Sequence, residues 1–467
     1  PWSSQLDLLN NDAVVKKTLA RFKKTRVLNR IWELDHTIWK PEPTNITNRL
    51  GWLTIIDQIL KNVSSIEHFA EDIHNAGFRY IVILGMGGST LVPEVLRSSF
   101  SKPKESPKLI VLNSTLPNQI LSVTETIDIT TTLFIISSKS GNTVETMSLY
   151  EHFRSMLDEF MPTNQVGQRF IAITDSGTPL ENLANEENFR QIFINPSNIG
   201  GRYSALSYFG LVPAALIRID IRELLNRARS MHKSCFAKDP YRNPGAFLGA
   251  AMAAMAISGR DKLTLITSPG LQGFASWIEH LVAESTGKEE VGIIPIVGDH
   301  STNISHYGED RLFVYLRLDH DENEETDDLM RQIKSNGKPM VYINLKDRYD
   351  LGAEFFRWEF ATAVAGAIFG INPFDQPHVQ QAKDLTIQLL NQYQTSGEIP
   401  SSFKHGSINL QDFLDSLEPG EYLAIMAYVQ KSEAMDHALS HLHERIVQRY
   451  HIATTVGYGP SVLHATG

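Results

Sequence analysis

Cysteine is nearly missing from this sequence: Cys235 is the single one in 467 residues. No intrachain disulfide can form, which suits a reducing compartment. An excess of basic residues is missing as well. Lys and Arg number 43 against 53 Asp and Glu, and a net charge of −10 argues against nucleic acid as a partner. No uninterrupted apolar run is long enough to span a bilayer, and no stretch has the form of a signal peptide. A cytoplasmic setting with no membrane partner is expected. Metal-ligand spacing is also absent. His437 and His441 lie four apart on a helical pattern, but no carboxylate stands where a third ligand belongs, so both read as helix surface. The first residue is Pro1 and the last ones, 463–467, read as a loop in progress, as expected of a piece of a longer polypeptide.

What is present is a chain well past the size at which single cores stop growing, with 42% apolar residues. Residues 1–75 look helical and are expected to cap the first domain. Strand patterns at 80–84, 109–112, 132–136, 170–174 and 191–194 alternate with helical stretches, as in βαβ crossovers. A second run has strands at 263–267, 291–295, 312–318 and 340–343, closed by an amphipathic helix over 355–369. The acidic run 319–328 reads as a solvated loop. A last unit has a strand at 422–429, a helix at 432–450 and a strand at 453–456. The expected architecture is α/β: two doubly wound parallel-sheet domains in series, 76–240 and 241–395, with the helical cap at 1–75 and a small α/β extension at 396–467.

Chemistry concentrates in the turns that end these strands, where open parallel sheets hold ligands. The first is Gly85-Met86-Gly87-Gly88-Ser89-Thr90, between an apolar strand and a helix start. That layout aims backbone N–H groups at an anion. Gly88 allows close approach and Ser89 adds a hydroxyl. The dinucleotide fingerprint fails, because Thr90 stands where a third glycine belongs. The P-loop fails too, for want of Gly-Lys-Ser/Thr. A sugar-phosphate cradle fits better. The second turn, Ser137-Ser138-Lys139-Ser140-Gly141-Asn142-Thr143, packs hydroxyls and one lysine ahead of a helix N-terminus, a phosphate-binding arrangement. The third, Asn198-Ile199-Gly200-Gly201-Arg202-Tyr203-Ser204, sets Arg202 in a tight loop. There it can steady charge on a substrate oxygen or cap the helix after Ser204. Glu284 lies in the last turn of the helix ending at Gly287. The negative end of the helix dipole disfavours a carboxylate there, which suits a group that must take up a proton. A surface glutamate is the competing reading. Gln376 and Lys383 bracket a loop and helix start, and Lys383 alone reads as a helix-face lysine.

Together and in this order, these motifs resemble the glucose-6-phosphate isomerases, each α/β unit being similar to a sugar isomerase (SIS) domain. The resemblance is closest to the isomerase part of bifunctional transaldolase/glucose-6-phosphate isomerases and covers nearly the whole chain, including Asn48-Arg49-Leu50-Gly51-Trp52 and 457–467. It implies interconversion of glucose 6-phosphate and fructose 6-phosphate through a cis-enediolate, with no cofactor. Ser138, Lys139, Ser140 and Thr143 would hold the phosphate, with Gly88 and Ser89 near the sugar. Arg202 would stabilise the enediolate, Glu284 would move the proton, Gln376 would close on substrate and Lys383 would assist ring opening. No histidine is assigned: His300, His306 and His464 are equally open for that task. A sugar-phosphate sensor on the same domains and an isomerase also acting on mannose 6-phosphate are the alternatives. A homo-oligomer and a transaldolase segment before Pro1 are partners the resemblance allows.

Overall fold

The computed structural model describes residues 4–7, 12–100, 106–299, 304–398 and 409–459, without the side chains at 4–7, 12, 378–380, 382 and 383. A short strand, β1 (Ser4–Asp7), comes first. β2 (Tyr80–Gly85), β3 (Lys108–Leu112), β4 (Thr132–Ser137), β5 (Phe170–Asp175) and β6 (Gln191–Asn195) then form a sheet in the order β3-β2-β4-β5-β6. All its pairings are parallel. β4 and β5 are buried along their whole length and β2 from Ile81 on, which is why they read as unbroken Ile, Val, Leu and Phe. The chain leaves β2 for one side of the sheet and returns through β4 on the other. The turns after β2 and β4 therefore flank the switch point where open sheets form a crevice.

β7 (Lys262–Thr267), β8 (Ile294–Val297), β9 (Arg311–Leu318) and β10 (Met340–Leu345) make the second sheet, again parallel. β8 starts later than the pattern suggested, because residues 288–291 close a tight turn: Lys288 and Val291 exchange two backbone hydrogen bonds. The acidic run is not merely solvated. Asp327 pairs with Arg317 at 3.0 Å, and Asp321 accepts from the Gly270 N–H at 2.7 Å. A small unit of β11 (Tyr422–Ala427) and β12 (Ala453–Tyr458), parallel and joined by the helix Glu433–Tyr450, follows. His437 and His441 are exposed on that helix. Among the described residues no group of three or more His, Cys, Asp or Glu could hold a metal, and no helix is long and apolar enough to cross a membrane.

The N-terminal segment differs from the expected cap. β1 pairs antiparallel with β10, on the edge of the second sheet. Trp39 donates its indole N–H to the Ala363 carbonyl (2.8 Å), and Trp32 stacks on Phe236 and Phe360. The helix Ile55–Asn75 packs on the first unit, and the Gly51 N–H bonds the Asn198 carbonyl at 2.9 Å. The segment thus spans both units, since its indoles need apolar cover that the second one provides.

The closing helix also differs. It runs Asp350–Phe369 and is buried nearly all round, between the helices Ile221–Cys235 and Pro244–Ile257. Its charged residues look like a solvated face in sequence but are interior: Glu354 meets Arg357 at 3.1 Å, and burial pushes the Glu354 carboxyl up to about 7.

Candidate active site

β2 ends at Gly85, and the chain turns at Gly87, whose φ of 56° and ψ of −132° favour glycine. The helix Gly88–Ser99 starts at once. Gly88 packs so tightly on the loop after β6 that a Cβ there would lie 2.5 Å from the Gly201 carbonyl oxygen. The glycine pairs of two separate motifs thus bring the start of one helix against the backbone that carries Arg202. The Ser137 hydroxyl ties the second turn to the first by donating to the Ser89 carbonyl at 3.1 Å.

After β4, Thr143 takes the N-cap position of the helix Val144–Asp158, so unpaired N–H groups end at the cleft. Ser140 and Thr143 line that cleft. Ser138 does not. Its buried hydroxyl lies 3.0 Å from that of Thr143 and accepts from the Gly141 N–H at 3.1 Å, shaping the turn from behind. Lys139 lines the cleft but is already engaged, donating to the Asp175 carboxylate and to the Ser197 carbonyl at 3.1 Å. Burial pushes the Asp175 carboxyl above its ordinary range, against the pull of Lys139.

The second unit supplies the other wall. Glu284, in the last turn of Gln272–Thr286, meets Arg202 Nε at 3.2 Å, and its Oε2 accepts from Gln376 Nε2 at 3.0 Å. Its Oε1 lies 3.6 Å from His280 Nδ1, one turn back on the same helix. Arg202 is 2% exposed. Its Nη1 donates to the Ser285 hydroxyl and its Nη2 to the Asp375 carbonyl, each at 2.7 Å. It does not cap a helix: the next one begins at Tyr208 and is capped by Ser207. The cleft holds about 880 Å³, room for a small polar ligand. Gly88, Ser89, Lys139, Ser140, Thr143, Arg202, Glu284 and Gln376 all line it. Lys383 lies on the helix Pro377–Ser396, with its side chain outside the described residues.

Residues 55–311, more than half of the chain, match the family model described as phosphoglucose isomerase. The chain belongs to the phosphoglucose isomerase family. It is 27% identical over 398 residues to a probable glucose-6-phosphate isomerase of Methanococcus maripaludis, covering 77% of this chain and 87% of that one. It is 28% identical over 393 residues to a glucose-6-phosphate isomerase of Bacillus cereus, covering 73% and 86%. Among solved structures, a glucose-6-phosphate isomerase of Chlamydia trachomatis superposes with a TM-score of 0.67 at 19% identity, over 81% of this chain and 86% of that one. A hypothetical protein of Thermus thermophilus superposes at 0.72 and 22% identity, over 83% and 100%. These two likenesses bear out the two-sheet α/β fold.

Several cleft residues had no assigned role in sequence. Among the described residues His280 is the histidine that lines the cleft; its spacing of four from Glu284 is the signal that marks it. His306 instead lies against the His451 ring, and His300 and His464 fall outside the described residues. Asp175 ends β5 at its carboxyl end, where a ligand-facing group is expected. Asp375 also lines the cleft, and only the fold reveals that it meets Lys288, which does not.

Proposed function

We propose that this chain interconverts glucose 6-phosphate and fructose 6-phosphate. The observation that carries the reading is the cleft itself. A hydroxyl-rich helix N-terminus stands on one wall and a carboxylate on the other, with a buried guanidinium against that carboxylate. The phosphate fits the turn of Ser140 and Thr143 with Ser89, while Ser138 shapes it and Lys139 with Asp175 borders it. So anchored, the open-chain sugar presents C1 and C2 to Glu284, and orientation is the main gain of the anchor. Glu284 takes the proton from C2 and returns it to C1. Arg202 steadies the enediolate charge between the two steps. Gln376 closes on the substrate, and Lys383 assists ring opening on the strength of the resemblance alone. The same resemblance underlies a homo-oligomer and a transaldolase segment before Pro1 as parts of this reading, and the sparse cysteine and lack of a signal-peptide pattern underlie a cytoplasmic setting.

A coupled assay of fructose 6-phosphate conversion tests it, run with and without a chelator. Turnover at the same rate in both is expected. Binding of the sugar phosphate without turnover would instead favour the sensor reading. Within that assay, Thr143→Ala is expected to raise KM about tenfold and to leave kcat nearly unchanged, the size of one hydrogen bond to a charged group. An unchanged KM would remove Thr143 from the phosphate site.

A further inference from the structure

We propose that Lys288 is a positioning residue: its ammonium clasps the loop 372–376 and so holds Gln376 and Arg202 against Glu284, a latch that opens when the amine loses its proton. The inference rests on Glu284 being the base, as argued above. Lys288 is 7% exposed. Its Nζ donates to the Asn372 carbonyl and the Asp375 carbonyl, each at 2.7 Å, and to the Asp375 carboxylate. All three ammonium protons have an acceptor on one short loop. The Asp375 carbonyl is shared with Arg202 Nη2, so the same atom locks both cations in place. One residue further on, Gln376 reaches Glu284.

The backbone under Lys288 is held as firmly. It opens a two-residue turn whose central positions, Glu289 and Glu290, have φ of 53° and 63°. Such turns favour Asn and Gly, so two glutamates there carry strain that the surroundings must hold. Lys40 holds it in part, through an ion pair with Glu289 at 2.7 Å.

The charged groups facing the ammonium are Asp375 on the clasped loop, Arg202 after β6 and Glu284 on the preceding helix. Burial and then Arg202 favour the neutral amine, and Asp375 and Glu284 oppose them. The balance brings Lys288 down to about 8. Below that pH the latch is charged and closed. Above it the amine keeps two donors and loses its attraction to the Asp375 carboxylate.

The test is the pH profile of kcat for the full chain and its Lys288→Met, Asp375→Asn and Glu284→Gln variants. The wild-type chain is expected to lose kcat along an alkaline limb near pH 8. Asp375→Asn removes an attraction that keeps the proton on, so the limb moves to lower pH. Lys288→Met lowers kcat about 100-fold below pH 8, as a small misplacement of catalytic groups does, and lacks the limb near pH 8, with KM changed less than about threefold. A limb that stays in place in Asp375→Asn overturns the proposal, as does wild-type kcat in Lys288→Met. Should Lys288→Met show no cooperative melting, the limb of Asp375→Asn decides. Glu284→Gln separates the two readings: if it keeps activity, the base assignment has failed; if it loses activity and the limb is unmoved, only the latch has.

Discussion

Glu284→Gln is expected to lower kcat roughly 10³–10⁴-fold while KM stays within about threefold, because it removes the proposed proton acceptor and keeps the side chain's shape. Glutamine retains one oxygen that can accept from Arg202 Nε and Gln376 Nε2, the groups that hold the carboxylate now. The wall of the cleft and the melting temperature should therefore be unaltered. Steady-state kinetics in the fructose 6-phosphate assay, beside a thermal melt, measure both. Isomerisation at the wild-type rate would remove Glu284 from the chemistry.

Arg202→Met carries the second large effect, and it falls on activity and stability together. The guanidinium is nine-tenths or more buried and fixed at three points: Glu284, the Ser285 hydroxyl and the Asp375 carbonyl. Taking it away leaves the carboxylate without its close cation and the Ser285 hydroxyl without this donor, while the Asp375 carbonyl keeps only Lys288. Such a loss costs about 3–5 kcal/mol in unfolding free energy. The same change removes the charge proposed to face the developing enediolate, for which kcat should fall about 10²–10³-fold. Arg202→Lys should recover part of the stability and little of the rate, since an ammonium cannot copy a fork that meets three partners at once. Denaturant unfolding with kinetics on both variants checks the pair. Equal kcat in Arg202→Lys and the wild type would make the charge, and not the fork, the working feature.

The parallel strands were legible in sequence because burial on both faces leaves a distinct mark, an unbroken apolar β-branched run such as 80–84. The turns were legible for a related reason: glycine pairs and clustered hydroxyls at the end of such a run have few other uses. What sequence left dark was pairing across units. Nothing in the spacing of Arg202 and Glu284 says that they touch, and nothing in Lys139 announces Asp175. Ser138 and Thr143 look alike in sequence, yet one bonds inside the turn and the other faces the cleft. Glu354 and Arg357 have the spacing of an exposed helix face, so their burial is invisible until the flanking helices are in place. β1 is four residues long, too short for any alternation to stand out.

The N-terminal segment has a further consequence. It grips the first unit at Asn198 and the second at Ala363, riveting together the two bodies that face each other across the cleft. A swing of the halves away from each other would have to break both contacts.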